Sequence, residues 1–570
     1  MMSPRTAANN PRPAGAPRVA ALLLGALLAA PTATAQPPAT PRADSATARA
    51  ASGWGDLHRF ASDSADRLRL AQLRGAATGG FLLRSASSMT APVGGASGRS
   101  TAWRPLLPAV TTVLNSAVPL SMNDGPLWSG VGVSLRVVGG VEARWGRLRL
   151  IAAPELLAAG NAHFELADTG TTLAPSIPGD RSPYSSPWHQ PPSSIDLPLR
   201  FGDGRVWRLD PGQSSLTLAL GALEVGAATE NQWWGPAIQN ALLLSDNAGG
   251  FPHLFLRTAR PLATPVGTVE LRYLLGGLSE SAYFDTLAAN DRRSYSAIAA
   301  TLQPRGADGL TVGLARAVYA SVDGWGGVVG RALDPFARVP DPGAIAAGET
   351  AAGTREQILS VFSRLVLPAS GFEAYAELAR SAFPRSLRDL LVSPAHSRGH
   401  TFGVQWLGEP VYADARVRLQ AEYTNVERSP SRAYRTVGSF YTSARVPQGY
   451  TQRGQSLGAA IGPGSSSQWL AADLVHRDWT GGLVLTRVRW NNDAHNERPW
   501  DVDEGWCEHD ISLIPGARGS ARTRYGVFGG RILLGKRINT FFDNGGYCPK
   551  GLQPRDESNA QLVLSFQPTW

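Results

Sequence analysis

Two features together constrain this chain most. Its side chains alternate with period two, and no apolar run reaches the length of a membrane helix without a charge or a turn residue. In Arg416-Val417-Arg418-Leu419-Gln420-Ala421-Glu422-Tyr423, Val417, Leu419, Ala421 and Tyr423 share one face of a strand and the polar residues share the other. Thr268-Val269-Glu270-Leu271-Arg272-Tyr273 does the same. In 484–490, Arg487 and Arg489 stand opposite Val484, Thr486, Val488 and Trp490. A soluble sandwich also alternates, with its polar face in water. Here Tyr273, Tyr423 and Trp490 lie near the ends of the apolar faces, where aromatics form the girdle of a membrane barrel. The reading is therefore all-β, a transmembrane antiparallel β-barrel, over a sandwich.

Strand-like runs recur about every 25 residues through 125–570, which gives roughly 18 strands for a barrel with long outer loops. No internal sequence repeat is visible. Leu562, Leu564, Phe566, Pro568 and Trp570 share one face. Alternate apolar residues before a final aromatic resemble the recognition signal of outer-membrane barrels. Pro568 has no amide for a ladder, so the last residues are expected not to pair.

The first 35 residues read as a signal peptide. Arg5, Arg12 and Arg18 precede the 12-residue apolar run 19–30, and Ala33-Thr34-Ala35 offers a cleavage site. That run is too short to span a bilayer, which takes about 20 residues. Residues 36–120 divide into a Pro/Ala-rich leader and an N-terminal helical region. A helix is expected over 62–74, with Asp63 and Asp66 in its first turn and Gly75 at its end. The barrel is expected over 121–570.

The formal net charge is +9. Lys536 and Lys550 are the lysines, so arginine supplies nearly all the positive charge. An exported basic chain is better read as meeting anionic sugars or lipopolysaccharide than nucleic acid. A genome-wide preference for arginine is the alternative.

The segment 231–257 departs from alternation. Trp233 and Trp234 would point to opposite faces of a strand, and Pro236 cannot donate to a sheet. Two aromatics are thus presented at a bend beside Asn240, Ser245, Asp246 and Asn247. Trp233-Trp234-Gly235-Pro236, Leu242-Leu243-Leu244-Ser245, Asn247-Ala248 and Phe251-Pro252 resemble the signature of the Wzi capsule-assembly family of outer-membrane proteins. Residues 449–455 and Gly458-Ala459-Ala460-Ile461-Gly462-Pro463-Gly464, after Phe440-Tyr441, resemble that family's later region. The resemblance implies an eighteen-stranded outer-membrane barrel with its small helical segment at the periplasmic mouth. It also implies a non-enzymatic lectin that attaches or organises capsular polysaccharide or exopolysaccharide. A porin-like diffusion channel is the alternative, since a barrel of this size can hold water.

Sugar binding needs aromatic faces together with fixed amides, carboxylates and arginines. The candidate ligand-binding residues are Trp233, Trp234, Asn240, Asp246 and Asn247, with Trp500 and Trp506 beyond Trp490-Asn491-Asn492-Asp493. For Trp233 and Trp234 the competing role is to pack an inward-folded segment in the lumen. No catalytic residue, metal ligand or cofactor is expected. Gly454-Gln455-Ser456-Leu457-Gly458 matches a nucleophile elbow, but the Gly/Pro-rich 459–464 cannot supply the helix that must follow. An enzyme built on Ser456 is the remaining rival. His396 and His400 read as loop residues. His495, Glu497, Glu508 and His509 read as a polar loop sooner than a metal site. The expected partners are surface polysaccharide, acidic if the arginines are its contacts, and outer-membrane lipid, with the protein a monomer and no nucleic acid bound.

An inward-running last strand places Cys548 in an outer loop. Residues 515–519 then read as a tight periplasmic turn, with 508–514 running inward before it, so Cys507 falls on the same outer side. A Cys507–Cys548 disulfide is predicted. Thiol titration of protein unfolded without reductant should find neither thiol free, and reduction should release both.

Overall fold

The computed structural model describes residues 63–76, 81–89, 101–166, 184, 186, 193–339, 355–497, 509–542 and 555–568, apart from 286, 289, 385 and 434–436. The expected signal peptide therefore lies outside the described residues, as do Trp500, Trp506, Cys507 and Cys548.

Eighteen antiparallel strands close into a barrel. They are β1 (Ala102–Asn115), β2 (Gly132–Trp145), β3 (Leu148–Ala152 with Glu155–Ala159), β4 (Val206–Asp210 with Ser215–Leu220), β5 (Leu223–Ala228) and β6 (His253–Thr258 with Leu262–Thr264). Next come β7 (Gly267–Ser279), β8 (Arg292–Pro304), β9 (Leu310–Ser321), β10 (Glu356–Leu367), β11 (Phe372–Arg380) and β12 (Arg398–Tyr412). The last are β13 (Ala415–Asn425), β14 (Ser466–Val475), β15 (Trp479–Arg489), β16 (Ile511–Thr523), β17 (Gly526–Ile538) and β18 (Glu557–Pro568). Closure pairs β18 with β1, from Val110 opposite Phe566 to Asn115 opposite Gln561. Prolines mark the irregularities. Pro154, Pro211 and Pro261 stand at the breaks within β3, β4 and β6, and the register shift in β1 falls between Leu106 and Ala109, at Pro108.

Every second connection is short, such as 413–414 and 524–525, and the others are long, such as 229–252 and 426–465. Short turns mark the periplasmic end of such barrels and long loops the outer end. The loops that carry Cys507 and Cys548, 490–510 and 539–556, both leave the outer end.

The structure corrects several expectations. The barrel begins at Ala102 instead of 121, because Pro105 and Pro108 break the alternation of β1 in the sequence without ending the strand. Residues 515–519 lie inside β16 and pair with β15, Pro515 opposite Leu485. The ladder to β17 skips Ile514 and Pro515, where proline has no amide to give. The turn is at 524–525. Pro568 does pair, opposite Gly526, as the last residue of its strand. His400 is on β12.

On β13 the expected faces hold. Leu419 and Tyr423 are exposed on the outer wall, and Arg418, Gln420 and Glu422 are buried inside. On β15 they are reversed. Val484 and Val488 are buried inward, Trp490 follows them with Nε1 donating to Ser512, and Leu483 and Leu485 face outward. A strand has no other difference between its faces than this one-residue phase. Here the lumen is apolar enough to accept valines. Tyr273 is also no simple girdle residue. A segment from the 322–355 loop covers it, and its hydroxyl donates to the Ala332 carbonyl at 2.6 Å. Trp103, Trp145, Tyr412, Trp479 and Tyr525 are exposed at the short-turn end, and Trp207, Phe402 and Tyr423 toward the other.

Helix α1 (Asp63–Leu73) lies at the short-turn end. Leu70 and Leu73 pack with Leu407 and Val475, close to those turns. Eleven residues are marginal as a free helix, and ion pairs fasten this one. Arg69 donates to Glu373 of β11 at 2.9 Å, and Asp66 meets Arg418 of β13 at 2.6 Å.

Leu470 sits midway along β14 with half its surface on the outer wall. Leu470→Arg is expected to destabilise the barrel in lipid vesicles by about 2–4 kcal/mol, as a cation at the bilayer midplane does. Reversible denaturant titration in vesicles checks it.

Candidate functional site

The long loop 229–252 does not stay at the mouth but turns into the lumen. Gln232–Trp234 forms a short strand antiparallel to Leu83–Ser85, with Trp234 opposite Leu83 and Trp233 opposite Arg84. The two indoles face different ways, as adjacent strand residues must. Trp233 packs with Ala237, Ala241 and Tyr375; Trp234 joins the main lumenal core with Leu242, Leu243 and Tyr441. Their exposures are 1% and 0%. The sequence-based alternative, that these tryptophans fill the lumen, describes their surroundings.

The bend that follows needs its glycine. Gly235 has φ +114°, and a Cβ there would stand 2.8 Å from Glu377 Oε2. After Pro236 the chain delivers three successive amides to one wall carboxylate. Glu422 of β13 accepts from Ile238 N at 2.6 Å, Gln239 N at 3.1 Å and Asn240 N at 2.9 Å, and from the Tyr375 hydroxyl at 2.7 Å. Glu377 of β11 accepts from Leu242 N at 3.2 Å and from the Ser360 hydroxyl at 2.8 Å. A buried carboxylate is tolerated when its lone pairs are filled in this way.

The candidate polar residues are engaged with protein. Asn240 donates to Ser467 at 3.2 Å and accepts from Ala460 N at 3.1 Å. Asn247 donates to the Ser456 carbonyl at 3.0 Å. The Asp246 carbonyl accepts from Gly125 N at 2.7 Å, and its carboxylate lies within the field of Arg136. These residues are brought together with Trp233 and Trp234 as the interior of one plug.

The outer loop 426–465 folds in against this segment. Tyr441 and Tyr450 stack at 5.7 Å and donate to the carbonyls of Leu242 and Leu243, each at 2.8 Å. Burial pushes both phenols up from their ordinary range. A Cβ on Gly458 would meet the Leu242 carbonyl at 2.5 Å. A third strand of chain, near 194–199, joins through the Ser194–Ser443 bridge. Asp196 there accepts from Ser281 N and Oγ at 2.7 and 2.6 Å, and burial raises its carboxyl. Close by, burial pushes Glu280 up to about 7, and Gln448 donates to it.

Ser456 lies buried in a two-residue hairpin, Thr451–Gln452 with Gln455–Ser456, and no helix follows it. His495 and His509 face each other with ring centroids 4.3 Å apart; Glu508 and the Glu497 side chain lie outside the described residues. Sequence reasoning missed Glu373, Glu377 and Glu422. The inward phase of Glu422 was readable on β13, but the plug and helix groups these carboxylates hold come from more than 100 residues away for Glu377 and Glu422 and some 300 for Glu373.

No family model matches the chain, and no curated protein does. Among solved structures it is similar to Wzi, an outer membrane protein involved in group 1 capsule assembly in Escherichia coli and described as a carbohydrate-binding β-barrel. The TM-score is 0.52 at 13% identity, over 82% of this chain and 85% of that one. The chain is an outer-membrane β-barrel. A BenF-like porin from Pseudomonas fluorescens Pf-5 aligns at TM-score 0.37 and 10% identity over 81% of this chain and 97% of its own. OprD from Pseudomonas aeruginosa aligns at 0.36 and 9% over 83% and 94%. At these identities the likeness is one of fold.

Glu422→Ala would leave the buried Asn240 amide without its acceptor, at about 1–3 kcal/mol, and the half-buried Ile238 and Gln239 amides at less. Gly235→Ala forces a left-handed alanine against Glu377, at about 1–3 kcal/mol. Both variants are expected to release the plug before the barrel. Limited proteolysis should then cut within 229–252 while the barrel still resists unfolding in detergent.

Proposed function

We propose that this protein is a non-enzymatic lectin-like protein of the outer membrane that attaches or organises capsular polysaccharide or exopolysaccharide at the cell surface. The observation that carries this reading is the filled lumen. Loops 229–252 and 426–465 leave the outer end and turn inward; the first locks to the wall through Glu377 and Glu422, and the Tyr441–Tyr450 pair locks the second to the first. A diffusion channel needs the space these segments occupy. The likeness to a carbohydrate-binding barrel supports the sugar class, as does the resemblance of 233–252 to the Wzi signature. Binding would sum many weak contacts along a polymer, made by loop residues at the outer mouth, Trp500 and Trp506 among them. The buried set Trp233, Trp234, Asn240, Asp246 and Asn247 would support those loops from below. The protein would act as a monomer in outer-membrane lipid, without a cofactor.

Three measurements test this. Purified protein is expected to retain the host's own surface polysaccharide, and deletion is expected to lower the amount of cell-bound polymer. In planar bilayers the protein should give no large steady conductance steps. Unchanged cell-bound polymer together with porin-like steps would replace this reading with the channel.

A further inference from the structure

Below the plug, a cavity of about 300 Å³ lies between α1 and the wall formed by β13 to β18, β1 and β2. That volume is at the lower end of small-molecule sites, about 300–1,000 Å³. The cavity runs from Asn240 and Asp124, under the inward loops, to Thr480, Ser520 and Gln567 beside the short turns. It is therefore a vestibule on the periplasmic side.

Six arginines line it against three aspartates. Four of the six have carboxylate partners. Arg136 pairs with Glu155, Arg418 with Asp66 and Asp473, Arg518 with Asp473, and Arg69 with Glu373. Arg531 reaches the side-chain amide of Gln561 at 3.1 Å. Arg84 pairs with no carboxylate among the described residues. It is 3% exposed, and its Nε has no hydrogen-bond partner.

What surrounds Arg84 makes this costly. Its guanidinium lies 4.1 Å from the Phe81 ring centroid and 5.4 Å from that of Trp233. Arg69 and Arg364 stand over the same Phe81 ring, at 5.6 and 4.8 Å. Their charges repel Arg84, and Glu373 is the carboxylate that answers all three. A ring face offsets part of the desolvation of a buried cation but does not replace a counter-ion. The cluster keeps its positive excess at the edge of a cavity large enough for a small solute.

We propose that Arg84, with Arg69 beside it, is a binding site for a small oxyanion, a carboxylate or a phosphate, entering the vestibule from the periplasmic side. The guanidinium fork fits either group with two parallel hydrogen bonds. Phe81 and Trp233 form the apolar wall against which the fork is held. The site is separate from the outer loops that would hold polymer, so its failure leaves the polysaccharide reading standing, and the reverse holds.

The test is calorimetric titration of the full chain in detergent with inorganic phosphate, glucuronate and glucose. Saturable binding of at least one anion is expected, weakened by salt, with none for glucose. The tighter of the two anions identifies phosphate or a sugar acid as the source. Arg84→Met should weaken anion binding roughly tenfold or more by removing a charge-assisted bidentate contact. Arg84→Lys keeps the charge without the fork and should fall between; it carries the test if Arg84→Met does not fold. No saturable anion binding by the unaltered protein at millimolar concentration overturns the proposal. So does equal binding of glucose, or unchanged affinity in a folded Arg84 variant.

Discussion

The structure turns on a wall carboxylate holding a loop's backbone. Glu422 takes the amides of Ile238, Gln239 and Asn240 and the hydroxyl of Tyr375. Each partner alone would be a poor bargain. A carboxylate buried without partners is costly, and so are three amides in a bend that forms no ladder. Together they satisfy one another. The bend that presents the amides is the one Gly235 permits, and Gly235 is tight against the second wall carboxylate, Glu377.

Much of the interior follows from that anchoring. Once 229–252 is held inside, Trp233 and Trp234 have a core to enter, and Tyr441 and Tyr450 have carbonyls to bond. The lumen becomes apolar along part of its wall. That explains why Val484 and Val488 face inward, although the inner face of a water-filled barrel would be polar. At the other end the helix Asp63–Leu73 enters as a second plug, fixed by ion pairs to Glu373 and Arg418. Between the two plugs remains the arginine-lined vestibule.

The alternation and the spacing of strand-like runs were enough to read an outer-membrane barrel of about eighteen strands, because each strand alternates by itself; of the three aromatic ends, Tyr423 alone stands on the outer wall as expected. The helix over 62–74 was readable for the same reason: its start and stop residues are local. Misreadings fell where a local rule met a tertiary exception. Pro515 was read within a turn, yet it sits in a strand where the ladder skips a pair, and the strand that shifts register at Pro108 was not read as part of the barrel. The face of β15 was misassigned because period two gives two faces without saying which is inside.

The sequence by itself determined the class of fold, its membrane and the oddity of Trp233-Trp234-Gly235-Pro236, since these depend on residue order within a few positions. Only the tertiary structure decided what that oddity is for. The ligand-like cluster of tryptophans and amides became a plug because Glu377 and Glu422, far away in sequence, stand where the loop's amides arrive. For the same reason Arg84 became a cavity charge that shares one carboxylate with two other arginines. Neither an acceptor nor the lack of one can be seen until distant strands are brought side by side.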